Sequence, residues 1–202
     1  MTNLFDTDGS LYKIGMVLAD IFLLSFLWII FSLPILTIGA STTAVYYVST
    51  KKAAGSDSYV LKGFLKSFRE NLLVSTIVFV ILALIGYVLW LNFQALPQVE
   101  LGLLHFPVRI ALLIAILQVT FVSMYVFPII SRFDVTVFGG LKSALLLANG
   151  HLFTTISNLV LLAAIFIVIN FVPALFIFIP GIFVYFSASL FVKVFRKYGE
   201  NL

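Results

Sequence analysis

Four long stretches of this chain carry no charged residue: positions 21–50, 72–93, 110–131 and 152–192, of 30, 22, 22 and 41 residues. A helix needs roughly 20 apolar residues to cross about 30 Å of hydrocarbon, so these runs are too long and too numerous for a water-soluble core. The pattern predicts an all-α fold, a polytopic membrane helical bundle of about five transmembrane helices with short interfacial helices besides. The 41-residue run needs two passes, because as one helix it would extend about 60 Å. Pro173, preceded by Asn170, is the natural turn, and Pro180 is expected to kink the last helix. Residues 1–202 then read as a single integral membrane domain with spans at about 16–33, 72–93, 109–130, 153–171 and 174–192.

The 30-residue run exceeds one span and makes two poorly. It breaks at Leu33-Pro34-Ile35-Leu36-Thr37-Ile38-Gly39. This is read as a span to about Leu33, a non-helical turn, and a short helix over about 40–52 that Tyr46 and Tyr47 anchor at headgroup level. A true hairpin with the N-terminus inside is the alternative, and composition does not choose between re-entrant, interfacial and spanning forms for residues 34–50.

Composition agrees with a lipid-facing surface: 62% hydrophobic residues, 10% charged, mean hydropathy +1.19. The absence of cysteine excludes disulfides, thiolate catalysis and Cys-ligated metals. The net charge of +4 points to topology rather than to nucleic acid, because the basic residues sit between the apolar runs. Ten of the twelve Lys and Arg residues fall in the segments around 51–69, 132–142 and 193–197. By the positive-inside rule those segments are cytoplasmic, which places the C-terminus inside and the N-terminus outside the cell membrane. The first ten residues contain Asp6 and Asp8 and no Lys or Arg. They fit an outside end and lack the basic region of a cleaved signal peptide.

Ser58 is placed to cap a helix in which Leu61, Phe64, Leu65, Phe68 and Leu72 share one face and Lys62, Lys66 and Arg69 the other. Such a helix belongs in the cytoplasmic interface, held by anionic headgroups or docked on a partner. The stretch Gly139-Gly140-Leu141-Lys142-Ser143-Ala144 is similar to Gly63-Phe64-Leu65-Lys66-Ser67-Phe68, which leaves a degenerate two-unit repeat and chance similarity both open.

The segments at 32–44, Ser-Leu-Pro-Ile-Leu-Thr-Ile-Gly-Ala-Ser-Thr-Thr-Ala, at 64–71, Phe-Leu-Lys-Ser-Phe-Arg-Glu-Asn, and at 127–134, Phe-Pro-Ile-Ile-Ser-Arg-Phe-Asp, resemble the YesL family. This is a bacterial membrane family of unknown function, and the resemblance covers nearly the whole chain. It implies about five spans and an accessory role in carbohydrate uptake, since members are typically encoded beside ABC-type oligosaccharide importers and polysaccharide-degrading enzymes. It carries over no catalytic residue.

Physically, Pro34 stops a helix, Thr37 and Gly39 shape the turn, and Gly39, Ala40 and Thr43 are small enough for helices to approach closely. That segment serves internal packing or seats another protein's transmembrane helix. Asp20 is the intramembrane charge, expected one turn inside the outer interface and paired with Lys13 or Arg109, with a substrate or proton role as the alternative. Arg132 and Asp134 join Lys62, Lys66 and Arg69 as the candidate cytoplasmic interface. Gln118, Asn92, Asn158 and Asn170 read as glue between helices. His105 and His151 are isolated and predict no metal site, and no motif implies a cofactor. With no nucleophile–base set or paired carboxylates visible, an intramembrane enzyme ranks last.

The expected function is therefore a non-catalytic accessory or scaffold subunit whose partners are the bilayer and the permease subunits of a carbohydrate ABC importer. A small transporter or channel acting on its own, with Asp20, Gln118, Arg132 and Asp134 along its path, is the alternative.

Overall fold

A computed structural model describes residues 10–56, 59–98, 102–172 and 177–198, and every regular element among them is helical. In order these are α1 (Ser10–Phe31), α2 (Ile38–Ala53), α3 (Val60–Ala95), α4 (His105–Arg132), α5 (Val137–Gly150), α6 (Leu152–Phe171) and α7 (Ile179–Phe195), with short 3-10 turns between some of them. Among the described residues, five stretches are long and apolar enough to cross a membrane: Ile14–Phe31, Val60–Gln98, Gly102–Arg132, Leu152–Phe171 and Ile179–Tyr198. The chain is an all-α, membrane-type bundle. With 16 and 14 residues, α2 and α5 reach only about 24 and 21 Å and cannot cross the hydrocarbon.

Helices α1 and α2 form an antiparallel hairpin. Pro34 cannot extend the helix, the chain turns through Ile35–Thr37, and the Thr37 hydroxyl reaches the carbonyls of Phe31 at 2.5 Å and Pro34 at 2.7 Å. Trp28 Nε1 donates to Thr42 Oγ1 at 3.0 Å. Farther from the turn, Lys52 pairs with Asp20. Antiparallel again, α2 runs along α3, with Gly39 against Phe79 and Thr43 hydrogen-bonded to Ser75 at 2.8 Å. At one end of the α3–α4 pair, Arg109 sits 5.9 Å from the Phe93 ring. At the other end Lys66 and Arg132 line one cleft.

The short helix α2 is the centre of the molecule, packed against α1, α3, α4 and α7. Phe191 of α7 meets Tyr46 of α2 and Tyr125 of α4 edge-on, at centroid separations of 5.8 and 4.9 Å. From α1, Ser25 closes the start of α7, accepting from Gly181 N at 3.0 Å and donating to Phe178 O at 3.3 Å. This supplies from another helix the partner that the first-turn amides lack.

Several expectations need correction. The amphipathic segment and the second span are one continuous helix, α3, of 36 residues, because no Pro intervenes and both segments share the helical period. The helix starts behind Tyr59 with no side-chain cap, and Ser58 lies outside the described residues. Tyr46 is no headgroup anchor: it is 2% exposed, with its hydroxyl 3.3 Å from Ser187 Oγ. Pro180 is the second residue of α7, where a missing N–H breaks no helical bond, so it opens that helix rather than kinking it. The turn expected at Pro173 lies outside the described residues. The two similar glycine-lysine stretches fall in α3 and α5, elements of different length and position.

Candidate functional site

Three constellations carry the polar chemistry of the bundle. The first is the seam around α2. A Cβ on Gly39 would stand 2.4 Å from the Ser75 carbonyl oxygen, 2.8 Å from Phe79 Cβ and 3.1 Å from Phe127 Cε1. Only glycine allows α2 to lie this close to α3 and α4. Ala40 and Thr43 are fully buried, Thr43 bonding both the Gly39 carbonyl at 3.0 Å and Ser75. Pro34 is exposed on the turn, with Leu33, Ile35 and Leu36 around it 75, 71 and 60% exposed. Gly39, Ala40 and Thr43 thus face the interior of this chain, while the turn beside them is open.

The second is a cleft of about 490 Å³ where α3, the end of α4 and the turn before α5 meet. Tyr47, Lys66, Glu70, Arg132 and Asp134 line it, and Lys66 and Glu70 stand 4.0 Å apart. Both signs of charge face one space. The structure brings Lys66, Arg132 and Asp134 together here, and leaves Lys62 and Arg69 on the exposed surface of α3. Thr136, which caps α5 by accepting from Gly139 N at 3.2 Å, fixes the turn that carries Asp134.

The third is a cavity of about 710 Å³ at the open end of the α1–α2 hairpin. Asp20 and Lys52 form an ion pair in its wall, each side chain 18% exposed. Asp20 does not pair with Arg109, which lies against Phe93, and the side chain of Lys13 is outside the described residues. The expected positions, Asp20 near the outer interface and Lys51 and Lys52 near the inner one, do not hold together, because the pair places Asp20 and Lys52 at the same end. Sequence reasoning missed Lys52 as a site residue. The partners are 32 positions apart, and only the hairpin reading of the first run brings them level.

Three of the four amides expected to tie helices together bond within their own helix. Asn92, Asn158 and Asn170 each donate to the carbonyl four residues earlier in their own helix, at 2.7, 3.0 and 2.7 Å. Apart from Lys52–Asp20, the side-chain bonds described between helices involve hydroxyls, including Tyr125 to Thr155 at 3.0 Å, a signal the short serines and threonines inside apolar runs already held. His151 Nε2 lies 3.0 Å from the Tyr198 hydroxyl. Among the described residues no three His, Cys, Asp or Glu side chains gather as a metal site would require.

Residues 21–93 match the family described as "Protein of unknown function, DUF624". This stretch spans α1 beyond Asp20, all of α2 and most of α3, and so contains the hairpin and the Gly39 seam. The chain is also similar to the "Uncharacterized protein YteU" of Bacillus subtilis (strain 168), at 33% identity over 170 residues that cover 81% of this chain and 72% of the relative. No solved structure matches it.

Proposed function

The chain belongs to the YesL-like family of DUF624 proteins, and from that premise we propose that it is a non-catalytic accessory or scaffold subunit docking on a carbohydrate ABC importer in the bacterial cell membrane. The observation that carries this reading is the cleft of mixed charge formed by Lys66, Glu70, Arg132 and Asp134, continued by the exposed Lys62 and Arg69. Paired cations and carboxylates on one face suit a protein partner, because complementary charges fix register and orientation. Two pairs of interior hydroxyls join helices, Thr43–Ser75 and Tyr46–Ser187, which favours a packed support over a solute path. The permease as partner rests on the family resemblance.

In this reading the basic end faces the cytoplasm. Because Asp20 and Lys52 meet there, α1 enters from that side and α2 returns to it as a re-entrant hairpin that stops short of the far face, so the start of α1 lies inside, in place of the outside position expected at first. Cysteines at Tyr12 and Ser56 should react with an impermeant maleimide only after permeabilisation, and a cysteine at Gln98 should react in intact, wall-stripped cells. Labelling of Tyr12 together with Gln98 from outside would reject the orientation.

The docking test is affinity purification in mild detergent from the native host, with mass spectrometry of the co-eluting subunits. Permease and binding-protein subunits are expected to co-elute, and reversal of Lys62, Lys66 and Arg69 to Glu should release them in a salt-sensitive way. A second reading, transport by this chain itself, is favoured by one observation, the Asp20–Lys52 pair in the wall of an open cavity. In a deletion strain complemented at matched expression, transport requires Asp20→Asn to abolish growth on oligosaccharides while the triple reversal stays silent. Docking requires the opposite order.

A further inference from the structure

The cavity at the open end of the α1–α2 hairpin has a construction that scaffolding does not use. Its charged element is one carboxylate and one ammonium, Asp20 and Lys52, each mostly withdrawn from water but still reachable, with Ser56 as a neutral polar neighbour. The apolar part of the wall is Met16 and Leu23 from α1 and Val60 and Leu61 from α3, with Met16 and Leu61 half exposed. Tyr59, 85% exposed, stands on the rim. An ion pair this far from water gives back much of its attraction as desolvation, so it is weak evidence for stability alone. Set beside long apolar side chains at the end of a membrane-type hairpin, it offers two opposite charges to a ligand that is itself zwitterionic at one end and hydrocarbon at the other.

We propose that this cavity binds a phospholipid whose headgroup is a zwitterion with a primary ammonium, the phosphoethanolamine type. The lipid enters by exchange of partners. Lys52 Nζ turns its donors to the phosphate oxygens, the lipid ammonium donates to the Asp20 carboxylate, and the net charge of the site is unchanged. A choline headgroup satisfies only the phosphate half, since its quaternary nitrogen has no N–H to give Asp20. A glycerol headgroup brings a phosphate with no cation and leaves Asp20 without its partner. The acyl chains run inward from the pair past Leu23, and Met16 and Leu61 cover the headgroup from the outer side, which ties binding to a membrane lipid rather than to a free zwitterion. The site lies apart from the charged cleft and does not depend on the docking role.

Native mass spectrometry of the full chain released from detergent micelles tests this, with phosphatidylethanolamine, phosphatidylcholine and phosphatidylglycerol of matched acyl chains at equal concentration. Wild type is expected to hold the ethanolamine lipid about tenfold more than either other lipid, the equivalent of one charge-assisted hydrogen bond. Lys52→Gln and Asp20→Asn should each abolish the preference. Leu61→Gln sits at an exposed position and leaves the ion pair in place. It should lower ethanolamine-lipid occupancy several-fold without moving the thermal midpoint, which keeps the test sound if a charge variant fails to fold. Equal occupancy by the three lipids in wild type, an ethanolamine preference surviving both charge variants, unchanged occupancy in Leu61→Gln, or displacement of the lipid by free phosphoethanolamine at equal concentration would each overturn the proposal.

Discussion

Helices α2 and α6 invert the usual relation between hydropathy and burial. In α2, Ser41, Thr43, Ser49 and Thr50 are fully buried among Ala40, Ala44, Val45 and Val48. In α6, whose sequence is Leu, Ile, Val and Phe for most of its length, only Thr155 and Asn158 are buried, and Phe153, Phe166 and Phe171 are 83, 69 and 83% exposed. Lipid tails are as apolar as leucine, so burial of hydrocarbon gives no advantage in a bilayer. Close backbone approach and hydrogen bonds between helices select the interior instead. The more polar helix is therefore the core, and the more apolar one is the coat.

The largest expected effect comes from Gly39→Ala, because its Cβ meets backbone and Cβ atoms that cannot move aside. The variant should lose about 3 kcal/mol, at the upper end for an overpacked site, read as thermal unfolding in detergent. Gly86→Ala on α3, where a Cβ meets nothing within 4 Å, is the control and should melt with wild type. If both melt with wild type, α2 is not clamped at this seam.

Lys52→Met comes next. It leaves the Asp20 carboxylate in a mostly apolar wall and should cost about 2 kcal/mol, below the range for a fully buried pair because the side chains keep some contact with water. Adding Asp20→Asn to it should recover most of the loss. A double variant as unstable as Lys52→Met alone would show that packing, not charge, holds the hairpin end.

A smaller effect is expected at Thr43→Val and Ser75→Ala, whose coupling in a double-mutant cycle should be about 0.6 kcal/mol, the usual size for a hydrogen bond between membrane helices. Additive effects would remove Thr43–Ser75 from the account of the core. The smallest belongs to α6, where Ile156→Val and Phe166→Leu should change stability by no more than about 0.5 kcal/mol. A loss comparable to that of Lys52→Met would mean that α6 packs against protein and that the contrast with α2 is false.

What a linear reading reveals follows from the same contrast. Length and charge depletion mark the apolar runs, since a bilayer demands both and neither depends on a neighbour. The centrality of α2 was not legible, because Ser41, Thr43, Ser49 and Thr50 look the same in a polar turn as in a hydroxyl-lined core. The prominence of Gly39 was legible as a small residue after Pro34, yet its contacts, Ser75, Phe79 and Phe127, come from two other helices. The partner of Asp20 was hidden by the choice between a single span and a hairpin for the first run, and Trp28–Thr42 settles that choice only in three dimensions. The charged cleft was half visible. Arg132 and Asp134 stand out in sequence, but their meeting with Lys66 and Glu70 requires α3 and α4 to be antiparallel.

The unbroken length of α3 has a mechanical consequence. Its 36 residues form a rod of about 54 Å, well beyond the hydrocarbon thickness, and at Ser75 the backbone of the rod leaves Gly39 of α2 no room for a side chain. That contact divides the rod into arms of about 22 Å toward Val60 and about 30 Å toward Ala95. A rigid lever cannot tip on one side of its fulcrum alone. By the same geometry, a swing of about 5° that moves the basic end by about 2 Å carries the far end the opposite way by about 3 Å. A pull on Lys62 or Lys66 that pivots α3 as one body would move Phe93 the opposite way without a messenger between them.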